Sequence, residues 1–133
     1  MFYLSNNWQT TVADLVFSYG RAGDEVLVGD WDGDGVDTFA VRRGNVFYVK
    51  NSLASGAADA SFSYGRTSDT TLAGDFNGDG RDTLSIRRGN TIHVNNSLTS
   101  GNADYALPYG RVSDELFMGD WDGNGTDTPT VRR

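Results

Sequence analysis

Residues 29–35 read GDWDGDG, and the same stretch returns as GDFNGDG at 74–80 and as GDWDGNG at 119–125. The copies are 45 residues apart both times, so no insertion or deletion separates them. A Tyr-Gly-Arg triplet and an Arg-Arg pair recur in the same register, as Tyr19–Arg21, Tyr64–Arg66 and Tyr109–Arg111, and as Arg42–Arg43, Arg87–Arg88 and Arg132–Arg133. A fixed period of this length is typical of repeat architectures. The sequence therefore predicts a single repeat domain over residues 1–133, with units at 1–45, 46–90 and 91–133.

Four short runs per repeat period have the composition of β-strands. Around the first unit boundary they are Glu25–Val28, Thr38–Val41, Phe47–Lys50 and Ser61–Tyr64. β-Branched and aromatic residues fill these runs, and Gly, Asn, Asp and Ser fill the gaps between them. No segment keeps an apolar period of 3.6 residues, so we expect no helix. The pattern predicts an all-β chain with four short strands per unit.

The two ends of the chain bear on whether the repeats form a line or a ring. Inside the chain, Gly44-Asn45 reads as the two-residue turn of a β-hairpin. The chain begins at the equivalent of Val46 and stops at the equivalent of Arg88, so its ends correspond to the two strands of such a hairpin. Each strand left alone would expose an unpaired edge. We therefore expect the first and last strands to pair, within one molecule or between two, and to close a ring.

Two cyclic folds are built from four-stranded units of this length. The blades of a β-propeller run to about 40–50 residues, and a propeller typically has four to eight blades. Three blades per chain would then be completed to six by a homodimer. The alternative is a β-trefoil monomer, a pseudo-threefold fold that three units would complete. Both folds stay open from these features of the residues.

The acidic loops have the opening of a calcium loop of the Asp-x-Asp/Asn-x-Asp/Asn-Gly type. Carboxylates at alternate positions converge when such a loop curls, and Ca²⁺ takes six to eight oxygen ligands. The alternative is a hairpin loop whose carboxylates accept backbone N–H bonds or pair with arginines. We expect up to three Ca²⁺ ions per chain. The predicted metal ligands are Asp30, Asp32, Asp34 and Asp37 in the first loop, Asp75, Asn77, Asp79 and Asp82 in the second, and Asp120, Asp122, Asn124 and Asp127 in the third.

Tyr64-Gly65 and the run LAGDFNGDGRD at 72–82, followed by an alternating strand, resemble the FG-GAP and VCBS-type repeats. The resemblance covers all three units. It implies calcium-loop blades of a β-propeller, like those of integrin heads and propeller lectins, and a secreted or cell-surface setting in bacteria. That family usually places its last acidic ligand at the ninth position of the loop. Here that position is a threonine, and the acid stands one residue earlier in every unit, as Asp37, Asp82 and Asp127.

A second repeated set combines aromatic rings with arginines, side chains that hold sugars by stacking and hydrogen bonding. It predicts equivalent pockets for a carbohydrate or a cell-wall glycan. The alternative is packing between neighbouring units, with Trp31 and its counterparts as wedges. Because successive strand residues point to opposite faces, one arginine of each Arg-Arg pair is expected to reach an acidic loop. The predicted ligand-binding residues are Tyr19, Arg21, Trp31, Tyr64, Arg66, Phe76, Tyr109, Arg111 and Trp121.

Composition and the lack of other motifs narrow the function. The net charge of −7 argues against a nucleic-acid partner, and no apolar run is long enough for a membrane span. There is no cysteine, and no nucleophile elbow, P-loop, dinucleotide fingerprint or zinc-protease motif. We therefore expect a non-enzymatic extracellular module that is stabilised by calcium and recognises glycans in a lectin-like manner. The alternative is a structural or protein-adhesion module in which calcium only rigidifies the blades.

Overall fold

The computed structural model describes all residues from 1 to 133 and contains twelve β-strands and no helix. It therefore offers no helix with the length and apolar character that crossing a membrane requires. The all-β class predicted from the sequence is confirmed. The strands are β1 (Phe2–Leu4), β2 (Leu15–Phe17), β3 (Glu25–Gly29), β4 (Thr38–Arg43), β5 (Val46–Val49), β6 (Ala60–Ser63), β7 (Thr70–Gly74), β8 (Thr83–Arg88), β9 (Thr91–Val94), β10 (Tyr105–Pro108), β11 (Glu115–Gly119) and β12 (Thr128–Arg132).

The strands form four antiparallel sheets in which consecutive strands are neighbours. Two sheets are whole, with the orders β3-β4-β5-β6 and β7-β8-β9-β10. Two are half as large and consist of β1-β2 and β11-β12. In the repeat register β1-β2 corresponds to β5-β6, and β11-β12 corresponds to β3-β4. The chain thus contains two whole sheets flanked by two complementary halves.

Each predicted repeat unit divides its four strands between two sheets. The unit at 46–90 supplies β5 and β6 to one sheet and β7 and β8 to the next. The hairpin that crosses the unit boundary lies inside a sheet, with Arg43 opposite Val46. Its two-residue turn contains Gly44 at a φ of 63°, as a turn of this kind requires. The predicted number of strands is correct, and the sheets are offset from the units by two strands.

The first and last strands do not pair within one chain. β1 pairs only with β2, and β12 pairs only with β11. Closure inside a single molecule, one of the two routes predicted from the ends, therefore does not occur. In the whole sheets the equivalent edges are paired, β4 with β5 and β8 with β9. One edge of β1 and one edge of β12 are left open.

The core lies between the faces of successive sheets. The larger cluster joins side chains of the first whole sheet, such as Phe47, to Leu84 and Ile86 of the second. A smaller cluster joins the second whole sheet to Leu116 and Met118, which lie on the last half sheet. Burial of apolar side chains on both sides of each junction is the main force that holds neighbouring sheets together.

Candidate functional site

The acidic loops curl around the first aspartate of each repeat. Asp30 Oδ1 accepts backbone N–H bonds from Gly33 (2.9 Å) and Asp34 (3.1 Å). Asp30 Oδ2 accepts the N–H of Gly35 at 2.8 Å. Gly33 and Gly35 have φ values of 76° and 88°, which glycine adopts without a steric penalty. The first aspartates of the other two loops accept equivalent N–H bonds, so the curl is set by residues close together in sequence.

The first loop brings three carboxylates to one point. One oxygen from each of Asp30, Asp32 and Asp34 lies within 4.8 Å of the others. Burial raises the pKa of Asp32, and the neighbouring charge of Asp34 raises it too. Burial also pushes the pKa of Asp30 upward, but the backbone N–H bonds to its carboxylate outweigh this and lower it. Three converging carboxylate oxygens fit the preference of Ca²⁺ for hard oxygen ligands. In the other loops, the amide oxygens of Asn77 and Asn124 each replace one carboxylate.

The acid that stands one residue early links consecutive loops. The N–H of Asp82 donates to the carbonyl of Asp30, and Asp82 Oδ2 accepts the N–H of Asp30, both at 2.8 Å. Asp127 and Asp75 form the same reciprocal pair. Burial raises the pKa of Asp82, and the charges of Asp127 and Asp37 raise it further. Asp37 itself is exposed and lies outside the three-carboxylate cluster. The first three predicted ligands of a loop therefore lie in its curl, whereas the fourth bridges to the preceding loop in the second and third repeats and is exposed in the first.

The loop aromatics pack between sheets wherever a following sheet is present. Trp31 is 3% exposed and Phe76 is 6% exposed, and both belong to core clusters. Trp121 occupies the third equivalent position and is 58% exposed. The sequence left open whether these residues bind a ligand or pack between units. In the structure, Trp31 and Phe76 pack between sheets. Trp121 differs because no sheet follows β12 in the chain.

The tyrosines of the Tyr-Gly-Arg triplets also lie at the sheet junctions. Tyr64 is buried, and its hydroxyl donates to the carbonyl of His93 at 3.1 Å. Tyr19 is half-buried, and Tyr109, at the last junction, is exposed. Burial raises the pKa of both Tyr19 and Tyr64 to about 12. These rings therefore form walls at the junctions, and Tyr109 is the most exposed residue of the three.

The triplet arginines mark a turn that sequence analysis did not assign. The backbone N–H groups of all three donate to an aspartate carboxylate three residues later, as in the 2.7 Å bond from Arg66 to Asp69. The Asp69 carboxylate also pairs with Arg88, which donates Nε to Oδ1 (2.9 Å) and Nη2 to Oδ2 (2.7 Å). The other two turns have the same arrangement. Asp24 accepts bonds from the N–H of Arg21 and the side chain of Arg43, and Asp114 accepts them from the N–H of Arg111 and the side chain of Arg133.

The expectation that one arginine of each pair reaches an acidic loop is therefore wrong. Arg88 reaches the Asp69 turn, while Arg87 donates to the carbonyls of Asp114 (2.8 Å) and Arg111 (2.9 Å) in the following turn. The two guanidinium groups do point in different directions, as strand geometry requires. The signal that was available in sequence was the matched register of these aspartates and arginines.

Equivalent residues line a cleft at two successive sheet junctions. The two clefts have volumes of about 300 and 170 Å³. In the first, the guanidinium carbon of Arg43 lies 5.0 Å from the centre of the Tyr48 ring. A planar donor beside an aromatic ring is suited to a ligand that offers both hydroxyl groups and a flat apolar face. The first cleft is lined by Tyr19, Arg21, Arg43, Tyr48 and residues 56–58, and the second by Tyr64, Arg88, His93 and residues 101–103.

Comparisons of the chain with protein-family models, curated proteins and solved structures gave no match. The resemblance to FG-GAP and VCBS-type repeats therefore stays a prediction. What the chain does is inferred from its own residues and their geometry.

Proposed function

We propose that the chain is a non-enzymatic binding module, built from β-propeller blades, that recognises glycans or cell-wall polysaccharide outside the cell. Ca²⁺ in the acidic loops stabilises the blades. The observation that carries the proposal is the recurrence of one cleft at two junctions, with equivalent residues around it. Repetition of a site is common on binding surfaces, where several weak contacts act together.

The chemistry of the clefts suits sugars. Arg43 and Arg88 each supply a fixed planar set of N–H donors, because an aspartate holds the guanidinium from behind. Tyr48 and His93 supply flat ring faces at the equivalent position. The clefts are smaller than, or at the lower limit of, the roughly 300–1,000 Å³ typical of pockets for drug-sized ligands. Each cleft would hold one sugar residue of a longer glycan, and several clefts together would supply avidity.

The propeller arrangement is supported by the way the sheets are built and joined. The whole sheets have four antiparallel strands in consecutive order, as propeller blades do. The reciprocal Asp82–Asp30 bonds and the wedge of Trp31 join the two whole sheets, and the Asp127–Asp75 bonds and Phe76 join the second whole sheet to β11-β12 in the same manner. A trefoil monomer would need the chain to close on itself, and β1 and β12 do not pair with each other.

A panel of glycans and peptidoglycan at millimolar Ca²⁺ tests the proposal. We expect saturable binding by the native chain and at least a tenfold loss, about 1.4 kcal/mol, in the double variant Tyr48→Ala/His93→Ala. Val112→Ser is the control, because Val112 is exposed and lies outside both clefts. No saturable binding by the native chain, or equal losses in the control, would contradict the proposed function.

A structural or protein-adhesion role is the second candidate. It is favoured by the acidic loops, whose carboxylates already hold backbone N–H groups of their own loop and of the neighbouring one. In that role calcium stiffens the blades and the clefts bind nothing. A pull-down that captures a protein partner unaffected by added sugars would favour this candidate over glycan recognition.

A further inference from the structure

The open strand edges have a template inside the chain. β4 and β5 pair across a two-residue turn, with Ala40 opposite Val49. In the repeat register β12 corresponds to β4 and β1 corresponds to β5, but neither has a partner on that edge. We infer that two copies of the chain form a closed ring in which β12 of each copy pairs with β1 of the other. The template places Thr130 of one copy opposite Leu4 of the second.

Arg132 lacks the contacts that its counterpart makes. Arg42 donates to the carbonyls of Asp69 and Arg66, both at 2.6 Å, in the turn that precedes the next sheet. The Arg42 side chain is 5% exposed, whereas that of Arg132 is 76% exposed. In the ring, the equivalent carbonyls belong to the turn at residues 21–24 of the second copy. Pairing of the strands would therefore bury Arg132 with its hydrogen bonds satisfied.

One of the three expected links between acidic loops is also missing within a single chain. Two reciprocal aspartate pairs join consecutive loops inside the chain, each with two bonds of 2.8 Å. The remaining counterparts are Asp120 and Asp37, which lie in the last and first loops and form no such pair within one chain. In the ring, the loop that contains Asp37 of the second copy lies next to the loop of Asp120, so Asp120 and Asp37 form the third reciprocal pair.

An apolar cavity marks where the second copy would pack. Its volume is about 230 Å³, and it lies between the second whole sheet and the half sheet β11-β12. At the preceding junction Leu98 and Ala103 pack against the corresponding core surface. Their counterparts in the repeat register are Trp8 and Ala13, and Trp8 is fully exposed in one chain. In the ring, Trp8 of the second copy covers the cavity, which is lined by Phe76, Ile92, Val94, Tyr105, Leu107 and Met118 among others.

Two copies are the number that closes a propeller of ordinary size. One copy holds two whole sheets and two halves, so two copies make six blades, within the usual range of four to eight. Three copies would make nine. The ring would also complete a third cleft, from Tyr109 and Arg133 of one copy and Tyr3 of the second. This last consequence rests on the proposed function, whereas the strand pairing does not.

Two measurements on the 133-residue chain without ligand test the pairing. Sedimentation equilibrium should give twice the 14.4 kDa mass of one chain. Because the chain has no cysteine, Leu4→Cys/Thr130→Cys should form an intermolecular disulfide on mild oxidation. The control Tyr3→Cys/Thr130→Cys should form little, since neighbouring strand residues point to opposite faces. The single-chain mass at every concentration, a mass above two copies, or equal cross-linking of both variants would overturn the inference. None of these results depends on glycan binding.

Discussion

At the scale of single residues, the turn aspartates hold the molecule together across long stretches of sequence. The Asp69 side chain is almost wholly buried and accepts bonds from Nε and Nη2 of Arg88 and from the backbone N–H of Arg66. Hydrogen bonds from the arginine side chain are the main cause that lowers the pKa of Asp69. The pKa values of Asp24 and Asp114 are lowered in the same way. One carboxylate thus fixes a turn and ties it to a strand of the next sheet.

Replacing Asp69 with Asn should lower the free energy of unfolding at neutral pH by about 2 kcal/mol, because a bidentate charge-assisted pair is lost. Urea unfolding monitored by circular dichroism measures the difference. Asp59→Asn is the matched control, because Asp59 is exposed and accepts a backbone N–H (2.7 Å) from Asn51 without an arginine partner. An equal loss in both variants would show that the arginine pair contributes nothing specific.

The same aspartate predicts how stability depends on pH. The folded-state pKa of Asp69 lies below its ordinary value of 3.8, so its contribution is fully present above that value and is lost as the pH falls through the lower, folded-state one. The pKa of Asp114 falls to about 2, so the stability that its carboxylate contributes is lost only as the pH falls toward that value. The native chain should therefore lose more stability than Asp69→Asn between pH 5 and pH 2, and their unfolding curves should converge. Parallel curves over that range would contradict the lowered pKa.

At the scale of the element, what could be predicted from sequence depends on how far apart the contacting residues lie. The strands follow from alternation over a few residues, and the curl of each loop follows from aspartates that accept N–H bonds within five positions. The Asp82–Asp30 pair spans 52 positions, and no local pattern could place it. The early position of Asp82 in its loop was visible in the sequence, but its bond to Asp30 depends on the neighbouring sheet. The burial of Trp31 depends on the same neighbour.

The acidic loops predict a stabilising effect of calcium. Ligand linkage gives about 2.7 kcal/mol per site when free Ca²⁺ reaches a hundred times its dissociation constant, so the melting temperature should rise as Ca²⁺ is added. Asp32→Asn should reduce the rise, because it removes one of the three converging carboxylates. Glu25→Gln removes the same charge outside the loops and should leave the rise unchanged. A melting temperature that does not change with Ca²⁺, or an equal reduction in both variants, would show that Ca²⁺ does not bind to these loops.

For the molecule as a whole, the first and last sheets are complementary halves that do not join within one chain. The two half sheets and the open cavity beside Phe76 lack the partners that their counterparts have, and the exposed Arg132 pairs only with Glu115. In the inferred ring, the opposite end of a second copy supplies each of these partners. The periodic sequence predicted this complementarity, and the structure shows that β1 and β12 do not pair with each other within one chain.

The tryptophans report directly on whether that assembly forms. Phe76 fills the core site that is equivalent to that of Trp31, so Trp31→Phe/Trp121→Phe should fold and leave Trp8 as the only indole. If two copies close a ring, Trp8 is covered at high protein concentration and becomes exposed on dilution. Its emission should then shift to the red, and acrylamide should quench it more strongly. Trp8→Phe/Trp121→Phe leaves only Trp31, which is 3% exposed within one chain, so its emission should not change with concentration. A Trp8 signal that is exposed and constant at all concentrations would leave the cavity without its proposed occupant.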